Sequence, residues 1–186
     1  MYKHFLKRII DFFIVLCVLL IIWPFLLIVT ILLLIFNEGA GAFFLQERPG
    51  YKGKPFKIIK FKTMNEKKGP DGKLLPDVLR ITKFGRFVRN TSIDELPQLI
   101  NVLKGDMAMV GPRPERMFYA KQILEREPSY SLIHKVRPGI TSLGQVKFGY
   151  AKNVDEMIER LRYDLLYLDN MSIINDFKII AYTVRI

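Results

Sequence analysis

From Phe12 to Phe36 the chain reads FFIVLCVLLIIWPFLLIVTILLLIF, without one charged side chain. A run of this length exceeds the roughly 20 residues that an α-helix needs to cross a bilayer. It must therefore fold as a membrane helix or as a wholly buried core helix, and its freedom from charge favours the membrane. A signal peptide has a shorter apolar region, about 7–15 residues, and then a small-residue cleavage site, so the run does not read as one.

Trp23-Pro24 lies in the middle of this run. A proline inside a helix removes a hydrogen bond and clashes one turn back, which predicts a kink. Both flanks are basic: Lys3, Lys7 and Arg8 on one side, Arg48, Lys52, Lys54 and Lys57 on the other. The positive-inside rule then places both ends in the cytoplasm. A kinked helix that enters and leaves the same leaflet satisfies both flanks, whereas a straight span satisfies one. The residues leave the straight span open, since single-pass helices tolerate a proline. The expected organisation is a membrane segment over residues 1–37 and a separate domain over residues 38–186.

Outside the run the chain is soluble in character and basic, with a formal net charge of +11. Such a surplus suits anionic partners: nucleic acid, anionic lipid or phosphorylated substrates. Cys17 is the one cysteine, which excludes an internal disulfide and a Cys-x-x-Cys metal site. His4 and His134 lack metal-ligand spacing and read as incidental.

The soluble part predicts an α-rich α/β fold. Glycine punctuation at Asn37–Gly41 ends the apolar helix. Ala42–Gln46 and Phe56–Met64 read as strands around a turn at Arg48–Lys54, giving a short β-hairpin. Asn65–Pro76 is a polar loop. Helices are expected over Val78–Val88, Ser92–Leu103, Glu115–Arg126, Asn153–Leu168 and Ser172–Ile186, with Asn153 and Glu156 as a capping box. Val110–Pro114 and Val136–Ile140 read as stiff loops. Val78–Val88 and the last helix carry basic and apolar faces, so each suits a membrane surface or the domain core.

Within this basic background Asn90–Leu99 reads NTSIDELPQL, with Asp94 and Glu95 adjacent. Ser92-Ile-Asp-Glu95 has the spacing of a capping box, whose acidic residues complement the helix dipole. On that reading the pair only starts a helix. The same carboxylates, set among Arg86, Arg89, Lys60 and Lys62, also suit chemistry. Either carboxylate can hold a divalent cation or attack phosphorus as a covalent nucleophile, with the other assisting. The cations would hold a diphosphate and offset charge in the transition state. Neighbouring helical residues point about 100° apart, so the two carboxylates take different roles.

A longer set of motifs runs in order along the chain. It comprises Lys7-Arg8 with Asp11, Gln46–Gly50, Lys54-Pro-Phe-Lys57, Lys60-Phe-Lys-Thr-Met64 and Thr82–Arg86. Thr91–Leu99, Asn101–Asp106, Val110–Pro114, Arg137–Thr141 and Tyr163-Asp164 follow. In this ordered set the chain resembles the small monotopic phosphoglycosyl transferases, bacterial enzymes that move a sugar-1-phosphate from a nucleotide diphosphate sugar to a polyprenol phosphate. The resemblance implies a re-entrant, proline-kinked membrane helix and a cytosolic domain at the bacterial inner membrane. It implies Asp94 as nucleophile on the β-phosphate, UMP as leaving group, Glu95 as assistant, and Mg2+ near Asp94. The short length is most similar to the members that start bacterial N-linked protein glycosylation, with UDP-N,N'-diacetylbacillosamine as donor. A galactose or N-acetylhexosamine donor in exopolysaccharide or O-antigen initiation is the alternative. A membrane-anchored basic scaffold without turnover is the rival outside this chemistry. Undecaprenyl phosphate, the UDP-sugar and membrane lipids are the expected partners; oligomeric state stays open.

Two positions depart from the family pattern: Lys62 stands where arginine is common, and Trp23 where serine often precedes the proline. Lysine offers a point charge in place of a planar fork. Arg113, pinned between two prolines, suits nucleotide-diphosphate recognition, and Arg137 before Pro138-Gly139 is a weaker parallel. The Lys-Phe alternation in Phe56–Met64 resembles a nucleic-acid surface, but no zinc, helix-turn-helix or RNA-binding signature accompanies it, so nucleic acid is not expected. The topology has a direct test. Cysteines introduced at positions 2 and 45, in a chain lacking Cys17, should react alike with a membrane-impermeant reagent; opposite accessibilities would establish a straight span.

Overall fold

The computed structural model describes Tyr2–Arg185, and at positions 3 and 4 the backbone only. The side chains of Lys3 and His4, and Ile186 at the end of the expected last helix, lie outside the described residues. The chain divides into two compact units: Met1–Leu16, Glu47–Ile58 and Leu99–Ile186 in the first, Cys17–Gln46 and Ile59–Gln98 in the second. The fold is α/β and rich in helix.

Helix α1 spans Lys7–Phe36, 30 residues, with Pro24 inside it. It is long and apolar enough to cross a membrane. Leu20, Ile21, Trp23, Leu27 and Ile28 are exposed, as expected of a helix whose solvent is lipid. Strands β1 (Phe43–Pro49) and β2 (Pro55–Phe61) pair in a two-stranded sheet. Gly50 and Lys54 close the turn between them with an N–H···O bond of 2.9 Å.

In the second unit Val29, Leu33, Ala42, Phe61 and Val88 form a buried cluster, joined by Leu26, Phe84 and Ile93. Asn37 stops α1 as its glycine-rich sequence predicts, and its amide donates to the carbonyls of Gly41 at 2.9 Å and Lys62 at 2.6 Å. The single helix expected over Val78–Val88 is instead two. Helix α2 covers Asp77–Arg80, Ile81 turns extended to bridge Met64, and α3 covers Lys83–Asn90. The break has a local cause: Thr82 is the N-cap of α3, and its hydroxyl accepts from the Gly85 N–H at 2.9 Å. Helical spacing of the apolar residues concealed that cap.

Helix α4 covers Gln98–Lys104. In the first unit β3 (Ala108–Val110) runs parallel to β4 (Gly139–Thr141), with Ala108 opposite Gly139 and Val110 opposite Thr141. Both strands run into segments expected from sequence to be stiff loops: Val110 belongs to β3, and Gly139 and Ile140 to β4. Glycine explains why they pair: a Cβ on Gly139 would lie 2.2 Å from the Gly111 nitrogen. Helix α5 covers Met117–Arg126, α6 Leu143–Lys147, α7 Val154–Asp169 and α8 Ile173–Thr183. The expected capping box on α7 is present: the Asn153 side chain accepts from the Glu156 N–H at 2.9 Å. Glu156 reaches back to the Lys152 N–H at 2.7 Å, one residue earlier than the pattern predicts. Ala120, Ile123, Tyr130, Ile133, Met157 and Leu161 build one core cluster. Val110, Tyr167, Met171 and Ile179 build another.

The tight β3–β4 approach sets an expectation. Gly139→Ala places a methyl group against backbone, which cannot move aside as a side chain does, and should lower stability by at least about 1–3 kcal/mol. Thermal unfolding of the variant checks this.

Candidate active site

The second unit gathers the acidic pair and four of the cations. Ser92 adopts a left-handed backbone (φ 56°, ψ 15°) and its side chain caps nothing. The capping box expected at Ser92–Glu95 is therefore not formed, and no α-helix begins there. Ile93–Glu95 is a single 3₁₀ turn, closed by the Glu95 N–H on the Ser92 carbonyl at 3.1 Å. Two constraints hold this turn: Ile93 packs into the cluster around Phe61 and Val88, and Pro97 is buried immediately after it. A 3₁₀ turn has three residues per turn, so Asp94 and Glu95 diverge by about 120°.

Lys60, at the end of β2, places its ammonium 2.6 Å from the Glu95 carboxylate, with both side chains mostly buried. Burial raises the pKa of Asp94 above the usual aspartate value. Lys60 opposes that shift, the charge of Glu95 adds to it, and Arg89 opposes it. Arg89 Nη2 donates to the Thr63 hydroxyl at 3.0 Å. Arg86 is exposed one turn earlier on α3. Lys62 faces elsewhere, donating to the Ala40 carbonyl at 2.8 Å and pairing with Glu66 at 2.5 Å.

Arg113 and Arg137 belong to the first unit. The Arg113 N–H donates to Asp164 at 3.2 Å. The same carboxylate accepts from the Gly144 N–H at 2.9 Å. Asp164 is buried, and burial pushes its carboxyl up to about 6 against these two amides. Arg137 Nε donates to the Gly105 carbonyl at 2.8 Å, and its guanidinium lies 5.5 Å from the centre of the Tyr51 ring. His134 packs edge-on against Tyr130 with its ring centroid at 5.3 Å.

Sequence reading passed over Thr63 and Asp164. Each sits inside a motif that it quoted, Lys60–Met64 and Tyr163-Asp164, but neither has a charge or spacing that announces its contact. Among the described residues no group of three or more His, Cys, Asp or Glu converges. Magnesium binds through one or two carboxylates together with substrate phosphates, and Asp94 with Glu95 fits that donor set.

The fold and site define an α/β protein with a membrane-type helix and a carboxylate pair set among cations. The chain belongs to the bacterial sugar transferase family, whose model matches residues 2–186. It is 44% identical over 156 residues to the uncharacterized sugar transferase EpsL of Bacillus subtilis, covering 84% of this chain and 74% of that protein. It is 40% identical over 182 residues to the UDP-glucose:undecaprenyl-phosphate glucose-1-phosphate transferase of Klebsiella pneumoniae, covering 96% of this chain and 39% of the relative. Identity is 35% over 183 residues with the UDP-N-acetylgalactosamine-undecaprenyl-phosphate N-acetylgalactosaminephosphotransferase of Aeromonas hydrophila, covering 97% of this chain and 43% of the relative. The chain thus spans about two fifths of the length of these last two proteins.

The raised pKa of Asp94 has a consequence for stability. A group whose pKa is higher folded than unfolded contributes fully below its unfolded value, and the contribution is lost as pH rises through the folded value. Asp94→Asn carries no such charge. Thermal melts should find it more stable than the parent at pH 7, with the difference vanishing at about pH 3, below the ordinary aspartate range.

Proposed function

We propose that this protein is an undecaprenyl-phosphate sugar-1-phosphate transferase that works through a phosphosugar ester on Asp94. The observation that carries the reading is Asp94 itself: a partly buried carboxylate at a strained turn, with Lys60 and Arg89 close enough to act on its charge. Family membership and the relatives' names support the reaction class.

An Asp94 oxygen attacks the β-phosphorus of a UDP-sugar. The bond from that phosphorus to the bridging oxygen breaks, and the oxygen leaves with UMP. An oxygen of undecaprenyl phosphate then attacks the same phosphorus. The ester bond breaks, Asp94 regains its carboxylate, and an undecaprenyl diphosphate sugar departs. Arg89 and Arg86 hold the diphosphate, and the planar fork of arginine suits phosphate oxygens. Glu95 keeps the Lys60 ammonium beside the reacting carboxylate. Asp94 would hold Mg2+ together with the substrate phosphates, and the ion would supply neutralisation of diphosphate charge. Arg113 and Arg137 are assigned to donor recognition on their loop positions alone.

The setting is the cytoplasmic face of a bacterial inner membrane, with residues 1–37 as a re-entrant segment and residues 38–186 as the catalytic domain. The basic flanks of α1 and its central proline support this arrangement. The relatives named for glucose and N-acetylgalactosamine transfer favour a UDP-hexose or UDP-N-acetylhexosamine donor. UDP-N,N'-diacetylbacillosamine rests on the resemblance to the protein-glycosylation members, and a panel of UDP-sugars against undecaprenyl phosphate separates the donors.

The reaction makes a prediction of order. UMP should be released on mixing protein with donor alone, in an amount no greater than the protein present. Mass spectrometry should find a sugar phosphate on the peptide containing Asp94. Asp94→Asn should abolish transfer while remaining folded. UMP release that strictly requires the lipid acceptor would overturn the two-step reading.

A further inference from the structure

Thr63 is buried, yet its polar atoms are engaged at both ends of α3. Its carbonyl accepts from the Thr82 N–H, at the N-cap of α3, at 3.3 Å. Its hydroxyl accepts from Arg89 Nη2, in the last turn of α3, at 3.0 Å. Between these points α3 lies so close to Thr63 that a Cβ on Gly85 would meet the Thr63 carbonyl oxygen at 2.0 Å. One residue thus holds the start of the helix, its middle and the arginine at its end. Ser92 and the 3₁₀ turn bearing Asp94 follow directly, with the Ser92 N–H bonded to the Arg89 carbonyl at 3.1 Å.

We propose that Thr63 is a positioning residue for the transfer reaction, its hydroxyl aiming the Arg89 guanidinium at the diphosphate that Asp94 attacks. This rests on the proposed function. Arginine has several rotatable bonds, and its fork serves a transition state only if its direction is fixed beforehand. A hydroxyl on a buried residue just beyond β2 fixes one Nη and leaves the rest of the fork for the ligand, since guanidinium carries five donors. Thr63 touches no reacting atom and acts through Arg89.

The experiment compares Thr63→Val, Thr63→Ser and Arg89→Gln, alone and combined, by single-turnover UMP release from a UDP-sugar. Thermal melts and steady-state transfer run alongside. Valine keeps the shape of threonine and removes the hydroxyl; serine keeps the hydroxyl. Thr63→Val should lower the rate about 10- to 100-fold, mainly in kcat, a loss of the size that misplacement of about 1 Å produces. Its melting temperature should stay close to that of the parent. Thr63→Ser should recover most of the rate, and Thr63→Val should cost little more in the Arg89→Gln background. If serine is as slow as valine, or if the two losses multiply in the double variant, Thr63 acts through packing and the proposal falls. Should Thr63→Val melt early, Thr63→Ser and the double variant decide the matter by the same criteria. Failure of the parent protein to form an adduct on Asp94 would remove the two-step mechanism. The Thr63 result is then read from steady-state transfer and stands or falls separately.

Discussion

A carboxylate held partly out of water beside a second carboxylate is an expensive arrangement, and the second unit is arranged around maintaining it. Asp94 loses hydration and feels the charge of Glu95. Left alone, such a pair would take up a proton or turn toward solvent. Lys60, which closes on Glu95, and Arg89 oppose this, while burial still holds the Asp94 carboxyl above its usual value. Neither cation is free to wander: Lys60 ends a paired strand, and Arg89 is tied to Thr63. The charge balance of the site is thus set by backbone elements, and the side chains only complete it.

The apolar cluster beneath explains why those elements hold still. Val29 and Leu33 of α1 pack with Phe61 of β2, Val88 of α3 and Ile93 of the 3₁₀ turn. The segment with membrane-type composition therefore also supplies core to the unit that carries the carboxylates. A change on the inner face of α1 acts on the active-site turn through Ile93, with no polar contact in between.

Much of this was legible in the residues. The apolar run, the hairpin strands, the cap on α7 and the setting of Asp94 and Glu95 near Lys60 and Arg89 all follow from local pattern, because period, charge and turn chemistry are local properties. What escaped was set by approach between distant segments. Parallel pairing of Ala108–Val110 with Gly139–Thr141 depends on glycines meeting across the strands, and prolines nearby read locally as loop. The break before α3 joins a local cap at Thr82 to a bridge between Ile81 and Met64, and only the cap is local. Ser92–Glu95 matched a capping box letter for letter, but packing of the partly buried Ile93 and the buried Pro97 won over the local cap, so the turn tightened instead. Asp164 gave no signal because two of its partners are backbone amides, which no side-chain pattern announces.

Ser92 carries a positive φ with an ordinary side chain, two residues before Asp94. Glycine, asparagine and aspartate accept that backbone readily, while a β-branched residue does not. The alphabet open to this position across natural variation and directed libraries is accordingly narrow. A valine or isoleucine here would swing the aspartate two places on away from its cations without altering any residue that handles substrate.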